Sequence, residues 1–349
     1  MPVGLIVAAV GGSPIEYWIP PSDPKNVNIN PCEDDTHQCD NSGGKMDSTF
    51  WSGMVEPMAP YTLSAVVWDQ AERDTKCPLA MSVYPCLQKY LISGWQKAFN
   101  SSFAFVGVQL AGYTAAYING TGDFANMSVT GEDVFTMRLQ QEQGCKGVQR
   151  CTLVPTYDMS CQAGLDGGCP FGSVHQPHKP QIGARVGLQL WKHLVSLPTT
   201  EVLAGPVAQA ARIVKRNGNS YSIQVDFAGG TAPFKLAGTR NCTTVAGFCC
   251  DGSANNGHTV DFDVSSDGGS YWVNGTAPVV NSATGSITFE ATMPPSMSGG
   301  GGGSSTVRMR ISQPPTMLRM TAASIWPQCT LYNSEGFPAF PFALEIATL

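Results

Sequence analysis

Three short, almost uninterrupted apolar runs constrain this chain more than any other feature. They are residues 3–10 (VGLIVAAV), 62–68 (TLSAVVW) and 103–110 (FAFVGVQL). Each is far too short to span a bilayer. A strand can be apolar on both faces only when both are covered, which is the condition of a parallel sheet between helices. Between the second and third runs, Tyr84, Leu87, Tyr90, Leu91, Trp95 and Phe99 recur near helical spacing and predict a helix over 80–99. Ile182, Val186, Leu190 and Leu194 predict another over 182–197. Strands alternating with helices place an α/β domain with a mainly parallel sheet at residues 1–200.

Beyond residue 200 the texture changes. ARIVKRNGNSYSIQVDF (211–227) reads as two strands joined around Asn217 and Gly218. HTVDFDV (258–264), SITFEATM (286–293) and TVRMRISQ (306–313) are short alternating segments parted by Gly, Ser and Pro. They predict an antiparallel β-sandwich over 201–349, with SMSGGGGGSS (296–305) as a loop inside it.

Twelve cysteines are many for a reduced compartment, and several are sequence neighbours: Cys32 and Cys39, Cys77 and Cys86, Cys145 and Cys151, Cys161 and Cys169. None has the spacing of a zinc site, so they read as disulfides. Asn100, Asn119, Asn126, Asn241 and Asn274 each open an N-x-S/T triplet. Together these features predict a secreted, lysosomal or vesicle-lumen glycoprotein. The apolar start lacks a charged leader, so a signal peptide is expected upstream of Met1. A net charge of −6 without clustered Lys or Arg gives no footprint for nucleic acid.

Ser13 follows Gly11 and Gly12, which raises the question of a nucleophile elbow, G-x-S-x-G. The second glycine is absent. Ser-Pro-Ile-Glu at 13–16 instead matches a capping box with proline at the first helical position. The glycine turn is still a candidate cradle for an anion or oxyanion at a helix N-terminus.

The same stretch, VGLIVAAVGGSPIEYWIP, resembles the G-L-I-x-x-x-x-G-G-[TS]-P-I-E-x-W segment of sialate O-acetylesterases, of the SGNH hydrolase superfamily. STFWSGMVEPMAPYTLSAVVWDQAE (48–72) resembles that family's W-N-x-M-x-x-P…G-V-V-W-Y-Q-G-E segment. CPFGSVHQPHKPQIGARVGLQLW (169–191) resembles its P-F-G-S-I-H-P…K-Q block, and IWPQCTLYNSEGFPAFPFALEI (325–346) its C-terminal end. The resemblance implies a three-layer α/β fold, a parallel sheet here lacking its first strand, followed by a β-sandwich. It also implies that the nucleophilic serine lies upstream of the G-L-I strand, outside this chain. A sheet deprived of that strand is expected to fold poorly, with unpaired edges.

By the same resemblance His175 is the general base that takes a serine proton and returns it to the leaving alcohol. His178, His193 and His258 read as surface or packing residues. Asp158 and Asp166 are candidates to orient the imidazole, with a backbone carbonyl as the alternative. Asp69 to Asp74 (DQAERD) stand where the family reads Y-Q-G-E-[SA]-N, lining the oxyanion and substrate region. Gln70 and Glu72 are kept, Ala71 replaces glycine, and Asp74 replaces asparagine. Arg73 would supply positive charge or neutralise its acidic neighbours. An ionised aspartate cannot donate to an oxyanion as asparagine can, which tells against activity. Trp18 would either stack on a sugar ring or anchor the turn in the core. No metal site or phosphate loop stands in the sequence, so no cofactor is expected. The reading is a carbohydrate esterase acting on O-acetylated sialic acid or a related glycan by a Ser/His mechanism. The alternative is an inactive, glycan-binding remnant.

Overall fold

The structure is a computed structural model. It describes residues 3–21, 32, 47–112, 129, 131–159, 174–195, 205–228, 234–238, 262–268, 272–276, 279–281, 284–294, 296–297, 309–310, 317–320, 329–333 and 337–347. The backbone divides into two compact units, Met1–Pro198 and Thr199–Leu349.

In the first unit β1 (Ala65–Asp69), β2 (Ala104–Val108) and β3 (Cys151–Val154) form a parallel sheet in that order. α1 (Pro78–Ala98) joins β1 to β2, α2 (Gly131–Cys145) precedes β3, and α3 (Lys179–Val195) follows it. Every residue of β2 is buried because both faces of the strand are covered. Phe105 enters an aromatic core shared with α1 and α2, while Val106 and Val108 meet Ile182 and Val186 of α3. The unit is thus helix, sheet, helix in three layers.

α1 forms where buried Ala80, Tyr84, Leu87, Leu91 and Trp95 recur every three or four residues. Pro78 opens it, at a position whose N–H has no intrahelical partner anyway. Asn100, in the left-handed region at φ +45°, ends it. Gly94 is required: a Cβ there would lie 2.4 Å from Cγ of Pro20.

Residues 3–10 do not form the predicted buried strand. Val3, Leu5 and Val7 are 79%, 89% and 86% exposed. The apolar run qualifies as a strand by composition, but the sheet ends at β1 and no described strand lies beside it to bond its amides. α2 is a helix that the apolar pattern does not announce, because it buries Arg138 and Gln141 beside Val134 and Met137.

Disulfides join Cys32 to Cys86 and Cys145 to Cys151. Sequence neighbours are therefore partners at 145 and 151 only in part of the pattern: Cys32 reaches past Cys39 to α1. Cys77 is also disulfide-bonded. Cys161 and Cys169 lie outside the described residues.

The second unit is all β. Its strands are β4 (Ala208–Asn217), β5 (Ser220–Phe227), β6 (Phe234–Gly238), β7 (Phe262–Ser265), β8 (Val273–Asn274) and β9 (Val279–Asn281). β10 (Ser286–Thr292), β11 (Ser296–Met297), β12 (Met309–Arg310), β13 (Met317–Met320), β14 (Cys329–Asn333) and β15 (Phe342–Ala347) follow. Eight strands make one sheet, ordered β8-β7-β13-β15-β4-β5-β10-β9; β14-β6 and β11-β12 are separate pairs. Phe234 and Leu331 of the β14-β6 pair enter the same core as Tyr221, Ile223, Val225, Ile287 and Phe289 of the large sheet. The predicted hairpin is present, turning at Gly218 with φ +58°. The all-antiparallel expectation needs one correction: β15 pairs with β4 in parallel, Ile346 opposite Ala211. Its partner strand is remote in sequence, so no hairpin imposes the antiparallel sense. Most of the glycine-rich 296–305 segment lies outside the described residues.

Candidate active site

The loops that leave the carboxyl ends of parallel strands are where an open α/β sheet presents chemistry. Here the loop after β1 carries Asp69 to Asp74, and the loop after β3 carries Asp158. The glycine turn at residues 11 and 12 is drawn to the first of these. Gly12 takes φ +71°, a conformation that side chains resist.

The capping box predicted at Ser13 is not formed. The following element is a single 3₁₀ turn, Ile15–Trp18, flanked by Pro14 without a side-chain cap. Ser13 is buried, its Oγ–H donates to the Val10 carbonyl (2.8 Å), and the same oxygen accepts the Trp18 indole N–H (2.9 Å). The first N–H of the turn, on Ile15, goes instead to Asp74 Oδ2 (3.3 Å). A carboxylate from a distant loop thus takes over the cap's task, leaving Ser13 Oγ to its neighbours.

Trp18 is 3% exposed. It packs against Phe50 and Trp68 with ring centroids 5.1 and 6.0 Å away, and its carbonyl accepts from the Trp95 indole at 2.9 Å. Its ring is enclosed among these aromatic neighbours.

Gln70 is buried and its amide is spent inside the protein. It donates to the Ser13 carbonyl (3.0 Å) and to Asp74, and it accepts from the Tyr84 hydroxyl (3.0 Å). Trp68 Nε1 donates to that hydroxyl at 3.3 Å, and Gln141 Nε2 holds the Gln70 carbonyl at 3.2 Å. Asp74 is likewise enclosed. Burial, reinforced by the Glu16 carboxylate, holds its carboxyl well above the usual range, against hydrogen bonds from Gln70 and Ile15. These contacts place Gln70 and Asp74 behind the glycine turn, bracing it.

Glu72 and Arg73 are half-buried. Burial, with the charge of Asp69 adding to it, pushes the Glu72 carboxyl up to about 7, while Lys179 pulls it the other way. Lys179, the first residue of α3, lies 3.6 Å from Asp69 Oδ2 and donates to Gln176 at 3.0 Å. His175 is exposed in the bend just before it. The Lys179 contacts therefore bring the His175 segment to the end of β1. Ala71 is buried with φ +132°, strained for any residue but glycine.

Asp158 is fixed by the fork of Arg185, with two bonds of 2.8 and 2.7 Å, and Arg185 also donates to the Pro155 carbonyl. Asp166 lies outside the described residues. Glu16, Tyr84, Gln141, Lys179 and Arg185 neighbour the candidate residues, a placement that the sequence did not assign them. Each is a common residue type without a diagnostic neighbour, and only the fold brings it to the edge. Among the described residues no group of three or more His, Cys, Asp or Glu could hold a metal ion.

Comparison with known proteins bears on what this edge serves. The chain is 25% identical over 251 residues to the sialate O-acetylesterase of Rattus norvegicus, covering 62% of this chain and 44% of the rat protein. It is 26% identical over 196 residues to that of Homo sapiens, covering 54% and 35%. In these stretches the chain is similar to sialate O-acetylesterases. It spans less than half the length of these curated relatives. No family model matches it. Its fold is shared with the crystal structure of a carbohydrate acetylesterase from Xanthomonas citri, with a TM-score of 0.60 at 18% identity, over 95% of this chain and 59% of that one. The α/β unit followed by a β unit is thus an architecture that an acetylesterase also uses.

Proposed function

We propose that the protein is a carbohydrate esterase that removes O-acetyl groups from sugars. What supports this reading is the glycine turn braced by Gln70 and Asp74 beside the end of β1, where Lys179, four residues after His175, reaches Asp69. His175 takes the proton of a serine hydroxyl and returns it to the leaving sugar oxygen, and Asp158, pinned by Arg185, orients the imidazole. Backbone N–H groups at Gly11 and Gly12 receive the developing oxyanion. Glu72 and Arg73, half-buried beside them, contact the substrate. Ser13 is not the nucleophile, because both hydrogen-bonding directions of its hydroxyl are engaged. The serine that attacks is a residue outside the described site. Sialic acid is the sugar that the relatives' name suggests.

The engaged Ser13 hydroxyl also favours a second reading, binding of acetylated sugars without hydrolysis. Acetate release from O-acetylated sialic acid and acetylated xylan separates the two. Release that falls at least about a thousandfold in His175→Ala supports the esterase. Saturable sugar binding with no acetate released supports the second. The disulfides and the Asn100 triplet, on an exposed turn, support passage through a secretory compartment. Among the described residues no helix is long and apolar enough to cross a membrane.

A further inference from the structure

Ser13 is 7% exposed, and its hydroxyl links the exposed glycine turn to the tryptophan core. The oxygen accepts the Trp18 indole N–H at 2.9 Å, and the proton goes to the Val10 carbonyl at 2.8 Å. The direction of this relay is fixed chemically. An indole nitrogen only donates and a carbonyl only accepts, so the group between them must do both. Trp18 is a firm support, because Phe50 and Trp68 pack on its ring and the Trp95 indole holds its carbonyl.

The chain is held unequally on the two sides of Ser13. Downstream, Gln70 donates to the Ser13 carbonyl and Asp74 accepts the Ile15 N–H. Upstream, Gly11 and Gly12 are exposed, with open space where a Cβ would stand. Packing at the two glycines therefore gives the turn no shape, and glycine itself resists few backbone conformations. Among the described residues no other hydrogen bond reaches residues 3–12. The turn keeps its form through the bond from Ser13 to Val10.

We propose that Ser13 is a positioning residue for the esterase reaction: its hydroxyl closes the turn from Val10 to Ser13 against the tryptophan core and thereby holds the Gly11 and Gly12 N–H groups in place for the oxyanion. What the turn receives rests on the esterase reading; what holds the turn rests on the Val10 and Trp18 bonds. The same engagement that disqualifies Ser13 as a nucleophile gives its hydroxyl this task. The open space over both glycines leaves room for an acyl oxygen. A reacting group misplaced by about 1 Å loses on the order of a hundredfold in rate. The oxyanion exists only at the chemical step, so the loss falls on kcat and spares KM.

The test uses the full chain with isotopically labelled glycine for NMR, and the same samples for acetate release from O-acetylated sialic acid. In the parent, the Gly11 and Gly12 amides should show order parameters near about 0.85 although they lie on the surface; values below about 0.6 overturn the proposal before any variant is made. Ser13→Ala should bring both below about 0.6 and cut kcat about a hundredfold, with KM within about twofold. Ser13→Thr, which keeps a hydroxyl, should restore both readouts, whereas Ser13→Val, of the same shape without one, should not. Parental order in Ser13→Ala or Ser13→Val, or a loss carried by KM alone, overturns the proposal. Should neither of those variants fold, the parental order parameters decide. Loosened glycines in Ser13→Ala, with no acetate released by the parent, would uphold the tie and sink the esterase reading alone.

Discussion

The side-chain amide of Gln70 donates to the main-chain carbonyl of Ser13 across 57 residues of sequence. One buried glutamine thereby joins the loop after β1 to the glycine turn, and through Tyr84 both are tied to α1.

Gln70→Leu should lower stability by about 2–3 kcal/mol, since it strands the Tyr84 hydroxyl and the Ser13 carbonyl in the core. Urea titration followed by tryptophan fluorescence measures it. A loss under about 0.5 kcal/mol would mean that water takes over these bonds.

Ala71→Gly should stabilise the chain by about 1 kcal/mol. It relieves a backbone angle of φ +132° at a buried site, and the relief exceeds the greater unfolded freedom of glycine. A lower Tm in the variant would show that the loop bears no such strain.

Arg185→Met should cost about 3–5 kcal/mol, because it leaves the Asp158 carboxylate, 5% exposed, buried without its fork. Arg185→Lys should recover part of that, keeping the charge but not the paired geometry. Denaturant midpoints of the two variants give the comparison.

The Glu72 carboxyl, raised to about 7, should move higher in Lys179→Met and lower in Asp69→Asn, as followed by carbon NMR of the side chain. Its contribution to stability is present below the unfolded glutamate range and is lost as pH rises through about 7. Opposite shifts would place Glu72 away from both groups.

Opening the Cys32–Cys86 bridge, which spans 54 residues, should cost more than opening Cys145–Cys151, which spans 6. Chain entropy alone gives about 4 against about 2 kcal/mol. Paired Cys→Ser variants under thermal unfolding test the order.

What the sequence made legible follows from burial. β2 and α1 announced themselves because Phe105, Val106, Tyr84 and Leu91 are apolar for the plain reason that they are covered. The β4–β5 hairpin announced itself through Gly218. α2 escaped because its inward face carries Arg138 and Gln141, whose polarity is answered by backbone carbonyls of Leu110, Gln70 and Val108. Residues 3–10 misled, because apolar composition shows a preference for cover without showing what provides it. Motif resemblance pointed to His175 and the loop after β1, but the side chains that contact that loop come from far along the chain. Asp74 capping Ile15 is such a case: local pattern assigned that task to Ser13, whereas the acceptor stands 59 residues further along the chain.

The parallel pairing of β15 with β4 has a consequence for how the second unit comes together. β15 sits between β13 and β4, so without it the large sheet falls into two pieces, β8-β7-β13 and β4-β5-β10-β9. Of this sheet's described strands, the one latest in sequence is the keystone. On the ribosome the two half-sheets must wait, each with a raw edge, until Phe342 and Ile346 emerge and close the gap. Removing β15 would therefore split the sheet rather than shorten it, leaving β13 and β4 each with an unpaired edge.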